Sequence, residues 1–295
     1  MNDEQRNEMA SRSGFIAALD QSGGSTPKAL EVYGIPENGY GNEKQMFDLI
    51  HEMRSRLILS PSFTSEKILA TILFEQTMDR TINGEDTASF LWKQKHIVPF
   101  VKVDQGLADA QYGVQLMKPM TKLDALLERA VDKGIFGTKM RSFIQEPNKG
   151  GITAIVRQQF DCAARIAEYG LMPIIEPEVS IKSPDKPTAD NLLVEEIHQK
   201  LDELPEDRQV MLKLTLPDED NLYASLIDHP RVLRVVALSG GYTLEHSIEI
   251  LARNHRLIAS FSRALTEGLT AEQTDAEFDD RLKENVDEIY EASVT

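Results

Sequence analysis

Lys213 stands at the centre of an apolar run, VMLKLTLP at residues 210–217. A lysine is almost never fully buried unless it is paired or chemically employed. In an extended strand, Val210, Leu212, Leu214 and Leu216 face one side, and Met211, Lys213 and Thr215 face the other. Seven further apolar runs end in, or next to, polar residues: Asp20; Glu75; Lys102 and Asp104; Lys139 and Arg141; Glu176 and Glu178; Ser239; Arg263. The three doublets are spaced i, i+2, so both members of each project from one face. Singly, a strand-end carboxylate often only caps a helix, and Glu75 is as well explained that way. Gathered at one mouth, three lysines and several carboxylates are costly unless they form a working network.

Amine catalysis is one use for such a set. A lysine attacks a ketone to give a carbinolamine, and loss of water leaves an iminium ion that acts as an electron sink. The attacking lysine must be partly neutral, a condition favoured by desolvation and by cationic neighbours such as Lys139 and Arg141. An acid must protonate the departing hydroxyl and a base must take a proton from the substrate. Glu176, Glu178 and Asp20 are available for both. The lysines could instead be phosphate ligands. The segment LSGGYTLEHSI (238–248) adds a second clue, a strand ending in Ser239-Gly240-Gly241 before a helix that starts near Thr243. Glycines let backbone N–H groups approach an anion, and a helix N-terminus favours negative charge. Barrel phosphate sites typically follow strands seven and eight, where this segment would meet Arg263.

The elements that must position these residues are eight β-rich runs: FIAALD (15–20), ATILFE (70–75), PFVKVD (99–104), IFGTKMR (135–141), MPIIEPEV (172–179), VMLKLTL (210–216), VLRVVALS (232–239) and RLIASFS (256–262). Amphipathic stretches such as TKLDALLERAVDKG and TAIVRQQFDCAARIAEYG lie between them. Alternating strands and helices predict a parallel sheet, and eight repeats in a chain of 295 residues predict an α/β fold, a (β/α)8 TIM barrel. A doubly wound sheet would usually carry G-x-G-x-x-G after its first strand; here that place holds DQSGGSTPKAL. The expected organisation is one catalytic domain over 1–295, with a helical lead-in at about 1–13 and an acidic helix at about 271–292.

With 32 basic and 48 acidic residues the formal charge is −16, which argues against nucleic acid or an anionic membrane as the main partner. A local cationic cleft for an anionic small molecule remains compatible with that balance. No apolar run approaches membrane-spanning length, and the polar N-terminus lacks a secretory core. The single cysteine, Cys162, excludes an internal disulfide and reads as a helix-packing residue. A cytoplasmic protein is expected.

The segments AALDQSGGS, ILFEQTM, FVKVDQGL, FGTKMR, PIIEPEV, LKLTLP, LSGGY and SFSRAL, spanning residues 17–265, closely resemble those of class I fructose-bisphosphate aldolases, most of all the shorter bacterial form. The resemblance implies a metal-independent lyase without cofactor. It implies reversible cleavage of fructose 1,6-bisphosphate to dihydroxyacetone phosphate and glyceraldehyde 3-phosphate. By that resemblance Lys213 forms the Schiff base, Glu176 is acid and base for carbinolamine formation and dehydration, and Asp20 takes the C4 hydroxyl proton. Lys139 assists the carbinolamine steps, and Glu178 orients and neutralises Lys139 and Lys213. Ser239, Gly240, Gly241 and Arg263 hold the C1 phosphate, while Lys102, Arg141, Ser22 and Ser25 lie toward the C6 phosphate. Phosphorylated sugars are the implied partners.

Two departures stand out. Long animal-type members end in a tail with a terminal tyrosine that assists proton exchange, whereas this chain ends EIYEASVT, leaving that role unassigned. Gln21 also replaces the glutamate of the animal form. A zinc-dependent aldolase would need a histidine cluster, and none of His51, His96, His198, His229, His246 and His255 falls at a reactive strand end. A transaldolase-like enzyme would not need two phosphate clusters, and a non-catalytic sugar-binding barrel would not need Lys213, Glu176 and Asp20 together.

Overall fold

The protein is described here by a computed structural model covering residues 2–295. Eight parallel strands close into a barrel: β1 Phe15–Leu19, β2 Ile68–Leu73, β3 Val98–Lys102, β4 Gly137–Ile144, β5 Met172–Val179, β6 Val210–Thr215, β7 Val232–Leu238 and β8 Ile258–Phe261. Each pairs with its successor, and β8 returns to β1 through Ile16↔Ser260 and Ala17↔Phe261. A single (β/α)8 domain results. A short strand, Val114–Gln115, adds antiparallel to the end of β4. All eight expected strands form, with shifted ends. β2 starts at Ile68 and stops before Glu75, which instead opens a short helix, Glu75–Met78.

Strand parity divides the core in two. Leu212, Leu214 and Leu216 belong to the layer between barrel and helices, together with Val103, Met140 and Val179. Ile16, Ala18, Ile72, Phe100, Ile174, Met211, Val236 and Ile258 fill the barrel itself. Gly137 is needed on that inner face, because a Cβ there would lie 2.2 Å from the Met172 carbonyl and 2.6 Å from the Phe100 ring. The aromatic ring occupies the space the glycine leaves.

The helices show the complementary periodicity. In Lys149–Glu168, Ile152, Ile155, Val156, Phe160, Ala163 and Ile166 are buried, the i, i+3, i+4 stripe of an amphipathic helix. Asn148 caps it by accepting from the Gly151 N–H at 2.9 Å. The lead-in helix, Asp3–Ser11, plugs the bottom of the barrel with Met9, which packs in the interior cluster. Arg234 on β7 holds it there, donating to the carbonyls of Met9 at 3.0 Å and Arg12 at 3.1 Å. The acidic C-terminal helix runs Asp275–Ser293, starting where Thr274 and Glu277 form a reciprocal capping box. Its residues Phe278, Leu282, Val286 and Ile289 are buried. Among the described residues no helix is long and apolar enough to cross a membrane.

Candidate active site

The inner parity that carries Ile16 and Ala18 at mid-barrel carries Asp20 at the mouth. In the same way Phe100 leads to Lys102, Ile174 to Glu176, and Met211 to Lys213. Four of the expected residues meet there. Lys139 Nζ lies 2.5 Å from Asp20 Oδ2 and 2.8 Å from Glu176 Oε2, and Lys213 Nζ lies 3.2 Å from Glu176 Oε1. The order Asp20–Lys139–Glu176–Lys213 alternates in sign. Lys139 and Glu176 are each 3 % exposed and Lys213 is 4 % exposed.

Burial by itself would raise the Asp20 pKa. The charges of Lys139, Lys213 and Lys102 outweigh it and hold Asp20 well below the usual carboxylate range. Glu176 is likewise held down, by Lys139 and Lys213 against its burial and against Asp20. Burial opposes the charge on Lys139, yet Asp20, Glu176 and Asp104 overcome it and raise its pKa. Both carboxylates are therefore anionic and Lys139 is cationic at neutral pH.

Glu178 and Arg141 form a pair one layer higher. Each sits two residues beyond Glu176 or Lys139, roughly 6.6 Å farther along its strand. The ion pair of Glu178 is thus with the Arg141 guanidinium rather than with Lys139 or Lys213. Lys102 bridges Ser22 Oγ at 2.8 Å and Asp104 Oδ1 at 3.2 Å. Asp104 in turn accepts from the Gly106 N–H and the Arg141 N–H, each at 3.2 Å. Ser25 is exposed and folds back on Ser22, whose N–H donates to its hydroxyl at 3.1 Å. Glu75 is drawn away to Arg129, the structural role open to it from the start.

The loop after β7 turns at Gly240 and Gly241, with φ of 61° and 114°, a region that glycine enters without strain. A Cβ on Gly241 would come within 3.3 Å of Arg263 Nη2, so the loop and the arginine of the β8 end are neighbours. Arg263 is exposed at the rim, while Ser239 beside the loop is buried. Helix Leu244–Ala252 follows, capped by Thr243.

Three supporting residues escaped sequence reasoning. Gln159, fully buried on helix Lys149–Glu168, accepts from the Glu176 N–H at 2.8 Å. The backbones of β5 and β6 pair at Ile174↔Met211 and Ile175↔Leu212. Beyond it the Thr215 hydroxyl accepts from the Val179 N–H at 2.9 Å and donates to the Val179 carbonyl at 2.7 Å. Arg54 reaches the end of β1 from helix Glu43–Leu59. Gln159 and Arg54 both interrupt the apolar stripe of an amphipathic helix, the same anomaly that marks Lys213, and that signal could have found them.

None of the six histidines joins this cluster. His198 meets Ser225, His229 meets Asp202 and His246 meets Glu249. Among the described residues no three His, Cys, Asp or Glu side chains converge in a metal-binding group. Cys162 is half-buried, and burial pushes its thiol pKa up.

The family model described as fructose-bisphosphate aldolase class-I matches residues 3–218. A protein of Synechocystis sp. named fructose-bisphosphate aldolase class 1 is 58% identical over 294 residues, covering 100% of this chain and 98% of that protein. One of the same name from Clostridium acetobutylicum is 57% identical over 295 residues, covering 100% of both. Among solved structures, fructose-bisphosphate aldolase from Plasmodium falciparum, complexed with TRAP and an inhibitor, aligns with a TM-score of 0.72 at 17% identity, covering 98% of this chain and 93% of that one. An archaeal fructose-1,6-bisphosphate aldolase, whose catalytic lysine is bound to a carbinolamine intermediate, aligns with a TM-score of 0.55 at 12% identity, covering 97% and 98%. These two share the barrel. On the match of the family model and the full-length identity of its relatives, the chain belongs to the class I fructose-bisphosphate aldolase family.

Proposed function

We propose that this protein cleaves fructose 1,6-bisphosphate reversibly to dihydroxyacetone phosphate and glyceraldehyde 3-phosphate, with Lys213 as the Schiff-base lysine. The observation that carries this reading is the buried, sign-alternating row Asp20–Lys139–Glu176–Lys213. Glu176, ionised in the free protein, receives the proton that Lys213 must shed to become nucleophilic. The amine adds to the C2 carbonyl, and proton transfer gives a neutral carbinolamine. Protonated Glu176 then returns its proton to the hydroxyl, which leaves as water, and a cationic iminium remains. Asp20, kept anionic by its lysines, takes the proton of the C4 hydroxyl. The C3–C4 bond breaks, its electron pair flows into the iminium to give an enamine, and the aldehyde departs. Protonation of the enamine at C3 and hydrolysis release the ketone and restore Lys213.

Lys139 holds the two carboxylates apart as one cation shared between two anions, and so keeps Asp20 and Glu176 in their separate tasks. Arg141 and Glu178 form an upper layer at the cleft. The Ser239–Gly241 loop with Arg263 takes one phosphate, and Ser22, Ser25, Lys102 and Arg141 the other. The reaction belongs to glycolysis and gluconeogenesis and needs no cofactor. A reducing cytoplasm suits the one unpaired cysteine.

Borohydride trapping with fructose 1,6-bisphosphate, followed by peptide mapping, tests the assignment. A reduced adduct on the Lys213 peptide is expected, with cleavage that persists in chelator. An adduct on Lys139 or Lys102 would overturn the roles, and cleavage without any adduct would overturn amine catalysis.

A further inference from the structure

Arg54 is a large, fully buried side chain, 1 % exposed, near the end of helix Glu43–Leu59. Its hydrogen-bond partners are all neutral. Nη1 donates to Thr77 Oγ1 at 2.7 Å, and Nη2 donates to the Gln21 carbonyl at 2.5 Å and to Gln21 Oε1 at 3.1 Å. Nε has no partner, and among the described residues no carboxylate comes within ion-pair distance. Burial lowers the guanidinium pKa, and Asp20 is the anion that acts against this; Asp20 itself is in contact with Lys139. An arginine keeps its charge in proteins, so a cation without a counter-ion is sealed under the rim of the cleft.

Two of its three hydrogen bonds go to one residue, Gln21. Gln21 directly follows Asp20 and precedes Ser22, which Lys102 contacts. The other end of the Gln21 amide crosses to β8, where Nε2 donates to Ser262 Oγ at 2.7 Å. Ser262 directly precedes Arg263, which faces the Gly240–Gly241 turn. One side chain therefore ties the ends of β1 and β8 together, and Arg54 fixes that residue at its backbone carbonyl and at its side-chain amide oxygen. The Gln21 amide accepts from Arg54 through its oxygen and donates to Ser262 through its nitrogen at the same time.

We propose that Arg54 is a positioning residue for phosphate binding, acting through Gln21 to set the Ser262–Arg263 step against the Ser239–Gly241 loop. The idea rests on reading that loop and Arg263 as a phosphate grip. The unbalanced charge of Arg54 adds a positive potential beneath an anion site, where low dielectric keeps it from being screened.

The test measures the affinity for inorganic phosphate by calorimetry, and KM and kcat for the bisphosphate, in wild type, Arg54→Lys, Gln21→Leu and the double variant. Lysine keeps the charge but cannot make the three-way fork. Each single change should raise KM and the phosphate Kd about tenfold, the scale of one lost hydrogen bond to a charged group. The change in kcat should stay under roughly threefold, since neither residue touches the reacting atoms. The double variant should be no worse than the weaker single, as expected for two members of one strap. Phosphate affinity and KM within about twofold of wild type in both singles would refute the proposal, whatever happened to stability. Losses that multiply in the double variant would also refute it, because Arg54 would then not act through Gln21. Should Arg54→Lys fail to fold, Gln21→Leu still decides, its side chain being half-exposed at the rim. Arg263→Gln is the control for the grip: unchanged phosphate affinity there overturns grip and strap together, while a loss there without one in the strap variants overturns the strap alone.

Discussion

Replacing Lys139 by methionine keeps most of the buried stem and removes one charge. Asp20 and Glu176 then remain in a site where their side chains are 10% and 4% exposed. Breaking a buried ion pair from one side costs about 3–5 kcal/mol. Lys213 still sits 3.2 Å from Glu176, so the burden falls on Asp20, and the lower end, about 3 kcal/mol, is expected at pH 7. At 1.36 kcal/mol per pKa unit that corresponds to a rise of about 2 units for the carboxylate left behind. In wild type both carboxylates have folded pKa values below their unfolded ones. Their contribution is complete above the unfolded values near 4 and is lost only as pH falls through the folded ones. In Lys139→Met that rise of about 2 units starts from well below the carboxylate range, so the folded Asp20 value stays below the unfolded one and the deficit narrows only in strong acid, as pH falls through the raised folded value. Urea midpoints at pH 8, 7, 6 and 5 read this directly. The deficit should be about 3 kcal/mol and level from pH 8 to pH 5, while kcat falls by a factor of at least about 10². A deficit below about 1 kcal/mol across that range would refute the shared-cation account of the cluster.

Two further changes probe the frame around it. Gly240→Ala puts a Cβ 2.6 Å from Ile181 Cγ2 at a φ of 61°; the strain of about 1–2 kcal/mol should appear as a KM for the bisphosphate raised roughly tenfold, and a KM within twofold would remove the loop from the phosphate site. Thr215→Val strips both hydrogen bonds from the Val179 peptide groups and should lower stability by about 2 kcal/mol in urea unfolding; a loss below about 0.5 kcal/mol would mean that the hydroxyl does not hold β5 to β6.

The barrel was legible because eight apolar runs, each with a polar terminus, leave few other ways to bury their hydrocarbon. Parity alone placed Lys213, Glu176 and Lys102 on the inner face, as the separation of Met211 from Leu212 and Leu214 confirms. Which charges touch was not legible. Lys139 and Arg141 share a face, yet one layer of rise sends the first to Asp20 and Glu176 and the second to Glu178, a choice set by register between strands. Gln159 and Arg54 lay hidden for a related reason. Gln159 meets the backbone of β5, and Arg54 meets Thr77 and Gln21; nothing in a helix's own pattern names the partner it will meet.

The plug at the base of the barrel has a consequence in time. Arg234 holds the carbonyl of Met9 across 225 residues of sequence, and β1 finds its second neighbour only when β8 arrives. During synthesis at about 5–20 residues per second, the first helix waits roughly 10–45 s for the residue that anchors it. Over that interval one edge of β1 is open and Met9 has no finished barrel to enter. The first helix and one edge of β1 thus stay exposed until the barrel is nearly complete.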